Sequence, residues 1–220
     1  NTSGIMSKAG SGMDTPAGLT GNTYLTWDSP IELAIMKKAV NSNGGDWDKV
    51  KVIPNTVTEE AQDVNANPDN AIWVFYGWGG INAEVSGVDT DYFSFKDIDE
   101  TFDYYTPVII GNNDFLNENP EAAKAFMEAT AKGYTYAAKN PEEAAQILID
   151  SDDTGALTGC EELVFESQKW ISEQYIAEAK QWGCIDSERW NGFYDWLWEN
   201  DLIENQIDTD FGFTNEYLPE

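Results

Sequence analysis

The sequence predicts an α/β fold, with one near-complete α/β lobe followed by a mainly helical part. Short apolar segments alternate with helical patterns over residues 15–99, and helical patterns then continue almost without interruption to the end. The change of pattern predicts an α/β lobe over residues 1–102 and a crossing strand with helices over residues 103–220. Because these later helices bring few strands of their own, the second part looks incomplete by itself.

Four segments of the first part are predicted strands, namely 22–27, 51–53, 71–76 and 92–95. Residues 71–76 are apolar at successive positions, which is typical of a strand covered on both faces in the centre of a parallel sheet. Parallel sheets bind ligands just beyond the carboxyl ends of their strands. Tyr76 and Trp78 are therefore predicted at a site that suits a flat organic ligand.

Helix signals lie between these strands. Ser29-Pro30-Ile31-Glu32 matches the capping box Ser-x-x-Glu with proline at the first helical position, and Gly44-Gly45 is predicted to end that helix. Short helices are also predicted over 58–67 and 81–86.

In the second part, Tyr104 to Ile110 is predicted to be a strand, and Asn119 and Asn140 are predicted to cap helices. Two stripes recur at helical spacing, the first suited to close packing and the second predicted to lie in the core. One is the small-residue stripe Ala122, Ala125, Phe126, Ala129 and Gly133, and the other is Trp190, Phe193, Tyr194, Leu197 and Trp198.

The composition narrows the function. With 12 basic and 40 acidic residues and a net charge of -28, the chain is poorly suited to nucleic acid or anionic membrane, both of which need Lys and Arg. No apolar run approaches the roughly 20 residues that span a bilayer. No signal peptide opens the sequence, and a mature or trimmed protein would look the same. Cys160 and Cys184 form either one disulfide or two buried thiols.

Six motifs stand out along the chain, namely residues 1–6 (NTSGIM), 26–32 (TWDSPIE), 76–78 (YGW), 103–108 (DYYTPV), 189–193 (RWNGF) and 213–219 (FTNEYLP). With these motifs the chain resembles a known family, the solute-binding proteins of ABC importers that carry thiamine pyrimidine precursors, a group shared with pyrimidine synthases. The resemblance runs along nearly all 220 residues.

The resemblance implies a type II periplasmic-binding-protein-like fold, in which two lobes close on a ligand by hinge motion. It implies that residues 1–102 form the second lobe and that the chain returns to the first lobe through 104–110. The family's usual opening is absent from this sequence, so a missing N-terminal segment or a partner chain would complete the first lobe. The implied protein is extracytoplasmic, periplasmic or lipid-anchored on the outer face, and it delivers a heteroaromatic ligand to an ABC permease in the membrane.

The predicted ligand-binding residues are Ser3, Trp27, Ser29, Glu32, Tyr76, Trp78 and Tyr105. Tyr76 and Trp78 would supply flat apolar faces to a pyrimidine, with packing under a loop as the alternative. Backbone N–H groups near Trp27 would hold a carbonyl or formyl oxygen, although Ser29 and Glu32 also serve as a cap. Ser3 and Tyr105 are hinge positions as readily as contacts.

Two features separate this chain from relatives. Gly79 stands where relatives carry an acidic residue that would pair with a pyrimidine amino group. The chain has no histidine and no clustered cysteines, whereas the synthases use an active-site histidine and iron, so no enzyme activity, cofactor or metal site is predicted. The alternative functions are a carbohydrate-binding module and a glycoside hydrolase, since both combine exposed tryptophans with carboxylates.

Overall fold

The structure, a computed structural model, describes residues 1–219. It forms two compact units. Unit 1 comprises Asn1–Tyr104 and Phe193–Gln206, and unit 2 comprises Tyr105–Gly192 and the residues from Ile207 onward. The predicted division at 102/103 falls two residues before the first change of unit. Residues 193–206 return to unit 1, although the sequence pattern grouped them with the second part.

Unit 1 contains a five-stranded mixed sheet with the order β3-β2-β4-β1-β5. Strand β2 is parallel to β3 and β4, whereas β1 is antiparallel to both β4 and β5. The predicted parallel arrangement holds for β3, β2 and β4, but the unpredicted strand β1 lies between β4 and β5 in the opposite direction, so the sheet is mixed. The strands are β1 (Ser3–Lys8), β2 (Thr23–Thr26), β3 (Lys51–Pro54), β4 (Asn70–Phe75) and β5 (Thr90–Ser94).

Helices cover both faces of this sheet. The helices that lie wholly in unit 1 are α1 (Pro30–Ser42), α2 (Glu60–Ala66), α3 (Ile81–Val85) and α4 (Phe95–Ile98), with a π-helical turn at Tyr76–Gly80 and 3-10 turns at Pro16–Leu19, Trp47–Lys49 and Glu100–Phe102. Helix α1 has the predicted capping box, and it ends before Gly44, whose φ of +83° places it in the left-handed region that glycine favours. Both predicted ends of α1 are confirmed.

The core of unit 1 has two parts, one on each face of the sheet. On one face, Ile5, Tyr24 and Trp73 pack against α1 and against Phe193 and Trp196. On the other face, side chains of β1, β2 and β4 pack against Ala61, Val64 and Ala83 of α2 and α3. Strand β4 is therefore buried on both faces over residues 71–74, as its continuous apolar pattern predicts.

Unit 2 is helical in its described residues. Its helices are α5 (Asn113–Glu118), α6 (Pro120–Lys139), α7 (Pro141–Asp150), α8 (Glu161–Ser172) and the first part of α9 (Ser187–Glu199). Asn119 and Asn140 occupy the N-cap positions of α6 and α7, which confirms the two predicted helix starts. Helices α6, α7 and α8 pack against one another. None of the helices within residues 1–219 combines the length and the apolar content that a bilayer crossing needs.

The predicted strand over residues 104–110 is absent. Val108, Ile109 and Ile110 are 45%, 52% and 88% exposed, and the segment has no regular secondary structure. The apolar pattern is strand-like, but a strand needs a neighbour for its backbone groups. The described residues of unit 2 contain no other strand that could pair with it.

The small-residue stripe on α6, which was expected to suit close packing, is exposed among residues 1–219. Phe126 is 58% exposed, and a Cβ atom added to Gly133 would meet nothing within 4 Å. Helix α6 instead buries Ala123 and Ala131. A stripe of small residues can be placed on a helix from sequence, but the face that neighbours cover depends on the packing of α7 and α8.

The aromatic stripe of α9 is buried only in part. Phe193 and Leu197 are buried as predicted, but Trp198 is 39% exposed.

Cys160 and Cys184 are half-buried free thiols, so no disulfide joins them. Of the two alternatives given for these cysteines, the structure has the one with two thiols.

Candidate functional site

The carboxyl edge of the sheet in unit 1 collects most of the predicted ligand-binding residues. Trp27 follows β2 directly, and Tyr76 follows β4 directly. Because β1 is antiparallel to β4, its first residue lies at this same edge, and Ser3 is paired with Phe75. Tyr105 belongs to unit 2 and is described separately.

A buried carboxylate organises the segment after β2. Glu32 is 4% exposed and accepts hydrogen bonds from the Tyr24 hydroxyl and, at 3.1 Å, from the Thr26 hydroxyl. It also accepts from the backbone N–H of Trp27 at 3.1 Å and from that of Ser29 at 3.3 Å. Burial, together with the bond to Glu32, raises the pKa of the Tyr24 phenol. The Glu32 carboxylate therefore holds the strand end, the loop and the start of α1 together.

These bonds change the role expected for the backbone near Trp27. The N–H groups of Trp27 and Ser29 donate to Glu32, and the N–H of Asp28 donates to the Thr26 hydroxyl at 2.8 Å. Asp28 itself has a φ of 62°, which a short polar residue tolerates. These three donors are engaged within unit 1, so their predicted contact with a ligand oxygen stays a proposal that this geometry does not favour.

The indole ring of Trp27 remains open to solvent. Its side chain is 52% exposed, and its ring centroid lies 5.7 Å from that of Trp73. Trp73 in turn lies 4.0 Å from the buried ring of Phe95. The exposed indole thus forms the outer layer of an aromatic stack that continues into the core.

Two further aromatic side chains are exposed at the same edge. Phe75, the last residue of β4, is 43% exposed, and Trp78 in the following turn is 48% exposed. We call Trp27, Phe75 and Trp78 the aromatic edge. The sequence did not identify Phe75 as a candidate site residue, because it ends an apolar run that is predicted to be buried. Phe75 is exposed because it is the last residue of the strand.

Tyr76 is held within unit 1. Its ring meets that of Tyr92 edge-on at 4.8 Å, its hydroxyl donates to the carboxylate of Glu84, and its ring fills the space beside Gly80. Partial burial, with the bond to Glu84, raises the pKa of Tyr76 to about 12. These contacts support the packing role that was the alternative for this residue, and a ligand contact by Tyr76 stays a proposal.

Ser3 is fully buried, and its hydroxyl donates to the side-chain oxygen of Asn1 at 2.7 Å. The Asn1 amide in turn donates to the carbonyl of Phe102 at 2.8 Å. These bonds fasten the start of β1 to the chain near residue 102. In this arrangement Ser3 has a structural role, and its predicted ligand contact remains a proposal.

Tyr105 is engaged within unit 2. Its hydroxyl accepts a hydrogen bond from the backbone N–H of Asp186 at 2.9 Å, and the Arg189 guanidinium lies 4.4 Å from its ring centroid. Arg189 also forms an ion pair of 3.0 Å with Glu178. Tyr105 therefore anchors the start of unit 2 to the segment before α9.

The backbone at Gly79 packs closely against the side chain of Val74. A Cβ atom at this position would lie 2.9 Å from Cβ of Val74, inside the usual contact distance. The turn after β4 is thus packed too tightly for a longer side chain, such as the acidic one that the resemblance led us to expect, unless Val74 shifts.

Gly79→Ala is expected to lower the free energy of unfolding by about 1–3 kcal/mol, because the added methyl overpacks the contact with Val74. Urea unfolding of Gly79→Ala, of Val74→Ala and of the double variant measures this. The double variant is expected to lose less stability than the sum of the two single variants, since Val74→Ala removes the Cγ1 contact at 3.1 Å while Cβ at 2.9 Å remains. Simple additivity would show that crowding against the Val74 Cγ1 atom is not the cause.

Outside the aromatic edge, we considered metal-ligating side chains and cavities among the described residues. Residues 1–219 contain no group of three or more Cys, Asp and Glu side chains placed to hold a metal ion. Unit 2 has a cavity of ≈ 400 Å³ along α6, and Tyr136 is the one aromatic residue among those that line it. A flat ligand finds more ring surface at the aromatic edge of unit 1.

The fold and the comparison with known sequences agree. The chain belongs to the NMT1/THI5-like family, whose model matches residues 1–144. It is similar to the formylaminopyrimidine-binding protein of Halalkalibacterium halodurans, with 26% identity over 211 residues. The alignment covers 96% of this chain and 64% of that protein, so the chain spans less than two thirds of the relative's length.

Proposed function

We propose that this chain is part of an extracytoplasmic substrate-binding component of an ABC importer, and that it captures a pyrimidine precursor of thiamine or a related heteroaromatic molecule. The aromatic edge carries the proposal, because three exposed rings end or follow neighbouring strands of one sheet. Flat apolar faces of this kind replace water above and below a heteroaromatic ring. The name of the related formylaminopyrimidine-binding protein supports the same ligand class.

The proposed role requires capture and release of the ligand, and no bond is made or broken. The delivery partner is an ABC permease in the membrane. The net charge of -28 favours a neutral or cationic ligand over a strongly anionic one. A pyrimidine with amino substituents meets that condition.

The exposed apolar side chains of unit 2 support a proposal about a further polypeptide partner. Unit 2 exposes a set of large apolar side chains, and extensive exposed apolar surface is typical of a contact with another polypeptide. We propose that further chain, either an N-terminal segment of a longer protein or a partner, covers this surface and completes the first lobe. The exposed side chains are Val108, Ile109, Ile110, Phe115, Phe126, Ile147 and Leu148.

The test of the ligand proposal is a titration with formylaminopyrimidine, with the same aminopyrimidine without its formyl group, and with oligosaccharides. The nine tryptophans make intrinsic fluorescence a direct readout. Saturable quenching by a pyrimidine supports the proposal. Binding or turnover of an oligosaccharide would instead support a carbohydrate-binding module or a glycoside hydrolase, and no response to pyrimidines would contradict the proposed ligand.

Trp78→Ala is expected to weaken pyrimidine binding by more than about 1 kcal/mol, because ring stacking and buried apolar area are lost together. Isothermal titration calorimetry measures the change in affinity. Trp198→Ala is the matched control, since Trp198 is 39% exposed but lies on α9 outside the aromatic edge. Unchanged affinity of Trp78→Ala would remove this residue from the site.

A further inference from the structure

The indole N–H of Trp73 is a buried donor without a hydrogen-bond partner in residues 1–219. The Trp73 side chain is 5% exposed and lies in the core of unit 1. A buried donor left without an acceptor costs about 1–3 kcal/mol, and buried tryptophans usually find one. Phenylalanine would place a ring here without that cost. The unpaired donor therefore points to an acceptor that the described chain does not supply.

The position of Trp73 connects this donor to the aromatic edge. Trp73 is two residues from the end of β4, at the carboxyl edge of the sheet. Its ring lies between the fully buried Phe95 and the half-exposed Trp27, with centroid separations of 4.0 Å and 5.7 Å. The indole of Trp27 is the half-exposed member of this stack and lies against Trp73.

The backbone of Trp27 is held by hydrogen bonds, whereas its side chain is half-exposed. Its backbone N–H is held by both oxygens of Glu32 at 3.1 Å. Its ring is 52% exposed, and side chains with this exposure change rotamer on the picosecond to nanosecond scale. Rotation of the Trp27 ring would therefore expose more of Trp73 and would leave the hydrogen bonds of the loop in place.

We propose that the Trp73 indole N–H donates a hydrogen bond to the carbonyl oxygen of a formylated heteroaromatic ligand, which enters when the Trp27 ring moves aside. The proposal rests on the proposed function and names the atom that selects its ligand. The backbone donors of Trp27, Asp28 and Ser29, which the sequence suggested for this oxygen, are occupied by Glu32 and Thr26. Of the buried side-chain donors without a partner in residues 1–219, which belong to Ser11, Trp73 and Ser94, the Trp73 indole N–H is the one in the aromatic stack beneath Trp27.

The test compares the wild-type chain with Trp73→Phe by calorimetric titration with two probes, formylaminopyrimidine and the same aminopyrimidine without the formyl group. Loss of one hydrogen bond to a buried oxygen is expected to weaken binding of the formylated probe about tenfold. Binding of the unformylated probe is expected to change much less. Equal discrimination between the probes in both proteins would overturn the proposal.

Two controls separate recognition from packing. Trp47→Phe changes a tryptophan that contacts Tyr24 in unit 1 but precedes β3, at the opposite edge of the parallel strands. It is expected to leave the discrimination intact even if stability falls. Trp73→benzothienylalanine keeps the size of the indole and removes only the donor, so it should reproduce the effect of Trp73→Phe.

A spectroscopic measurement gives an independent result. In ¹⁵N-labelled protein, the indole N–H signal of Trp73 is the one that Trp73→Phe lacks, and the formylated probe is expected to shift it downfield. A signal that stays in place when the probe is bound would overturn the proposal. If the wild-type chain binds neither probe, the proposed function fails, whereas binding of both with unchanged discrimination in Trp73→Phe refutes only the role of Trp73.

Discussion

Glu32→Ala is expected to lower the free energy of unfolding by about 3–5 kcal/mol, because it leaves several buried donors without an acceptor. The Glu32 carboxylate accepts from two hydroxyls, of Tyr24 and Thr26, and from the backbone of Trp27 and Ser29. The Tyr24 and Thr26 side chains are buried, so water does not replace the lost acceptor for them. Urea unfolding followed by tryptophan fluorescence measures the loss.

The control for this prediction is Glu59→Ala, which removes an exposed carboxylate from the same unit. Substitutions at such positions change stability by about 0.5 kcal/mol or less. Glu32→Gln should lie between the two, since the amide keeps one acceptor oxygen and adds donors that the site does not need. A loss below about 1 kcal/mol in Glu32→Ala would show that the network does not stabilise unit 1.

Glu32→Ala has a second consequence if the aromatic edge binds the ligand. The carboxylate fixes the backbone of Trp27, so its removal leaves the position of the indole undefined. Affinity for a pyrimidine should then fall together with stability. Glu59→Ala should change neither.

Alkaline pH is expected to destabilise unit 1 through Tyr24. Burial and the neighbouring Glu32 raise the pKa of the Tyr24 phenol in the folded state above its unfolded value of about 10. The stability that the neutral phenol contributes is therefore present below pH about 10 and is lost as pH rises above that value. The loss is about 1.4 kcal/mol for each pH unit until the folded pKa is reached.

The pKa values of Tyr92 and Tyr76 are also raised in the folded state, chiefly by burial, so they act in the same direction. Free energies of unfolding measured between pH about 8 and about 12 test the prediction. Tyr24→Phe removes one titrating group and should reduce the slope, although it also leaves Glu32 with one donor fewer. An identical slope in Tyr24→Phe and wild type would show that Tyr24 does not control the alkaline transition.

Local sequence signals predicted secondary structure correctly where neighbouring residues alone determine it. The capping box at Ser29 and Glu32 predicted the start of α1, and the glycines at 44 and 45 predicted its end. The continuous apolar run predicted β4 as a strand buried on both faces. In each case the pattern lies within a few neighbouring residues, and the physical cause acts at the same distance.

Strand pairing could not be predicted from local sequence patterns. Ser3–Lys8 contains glycine, two serines and lysine and has a weak strand pattern, yet it forms β1 because β4 and β5 supply partners on both sides. Residues 104–110 have the stronger pattern and form no strand, because the described part of unit 2 offers no partner. The backbone groups of a strand are satisfied by distant segments, so the outcome depends on residues that local patterns do not include.

The sequence alone determined the α/β character of the chain, the family that it resembles, and the aromatic residues at the carboxyl edge of the sheet. Only the tertiary structure decided which of their groups are free to meet a ligand. Glu32 and Thr26 take up the backbone donors after β2, Glu84 and Tyr92 hold Tyr76, and Trp73 keeps an unpaired indole N–H behind Trp27. A sequence lists donors and rings, but whether each is already engaged depends on neighbours that only the fold brings within hydrogen-bonding distance.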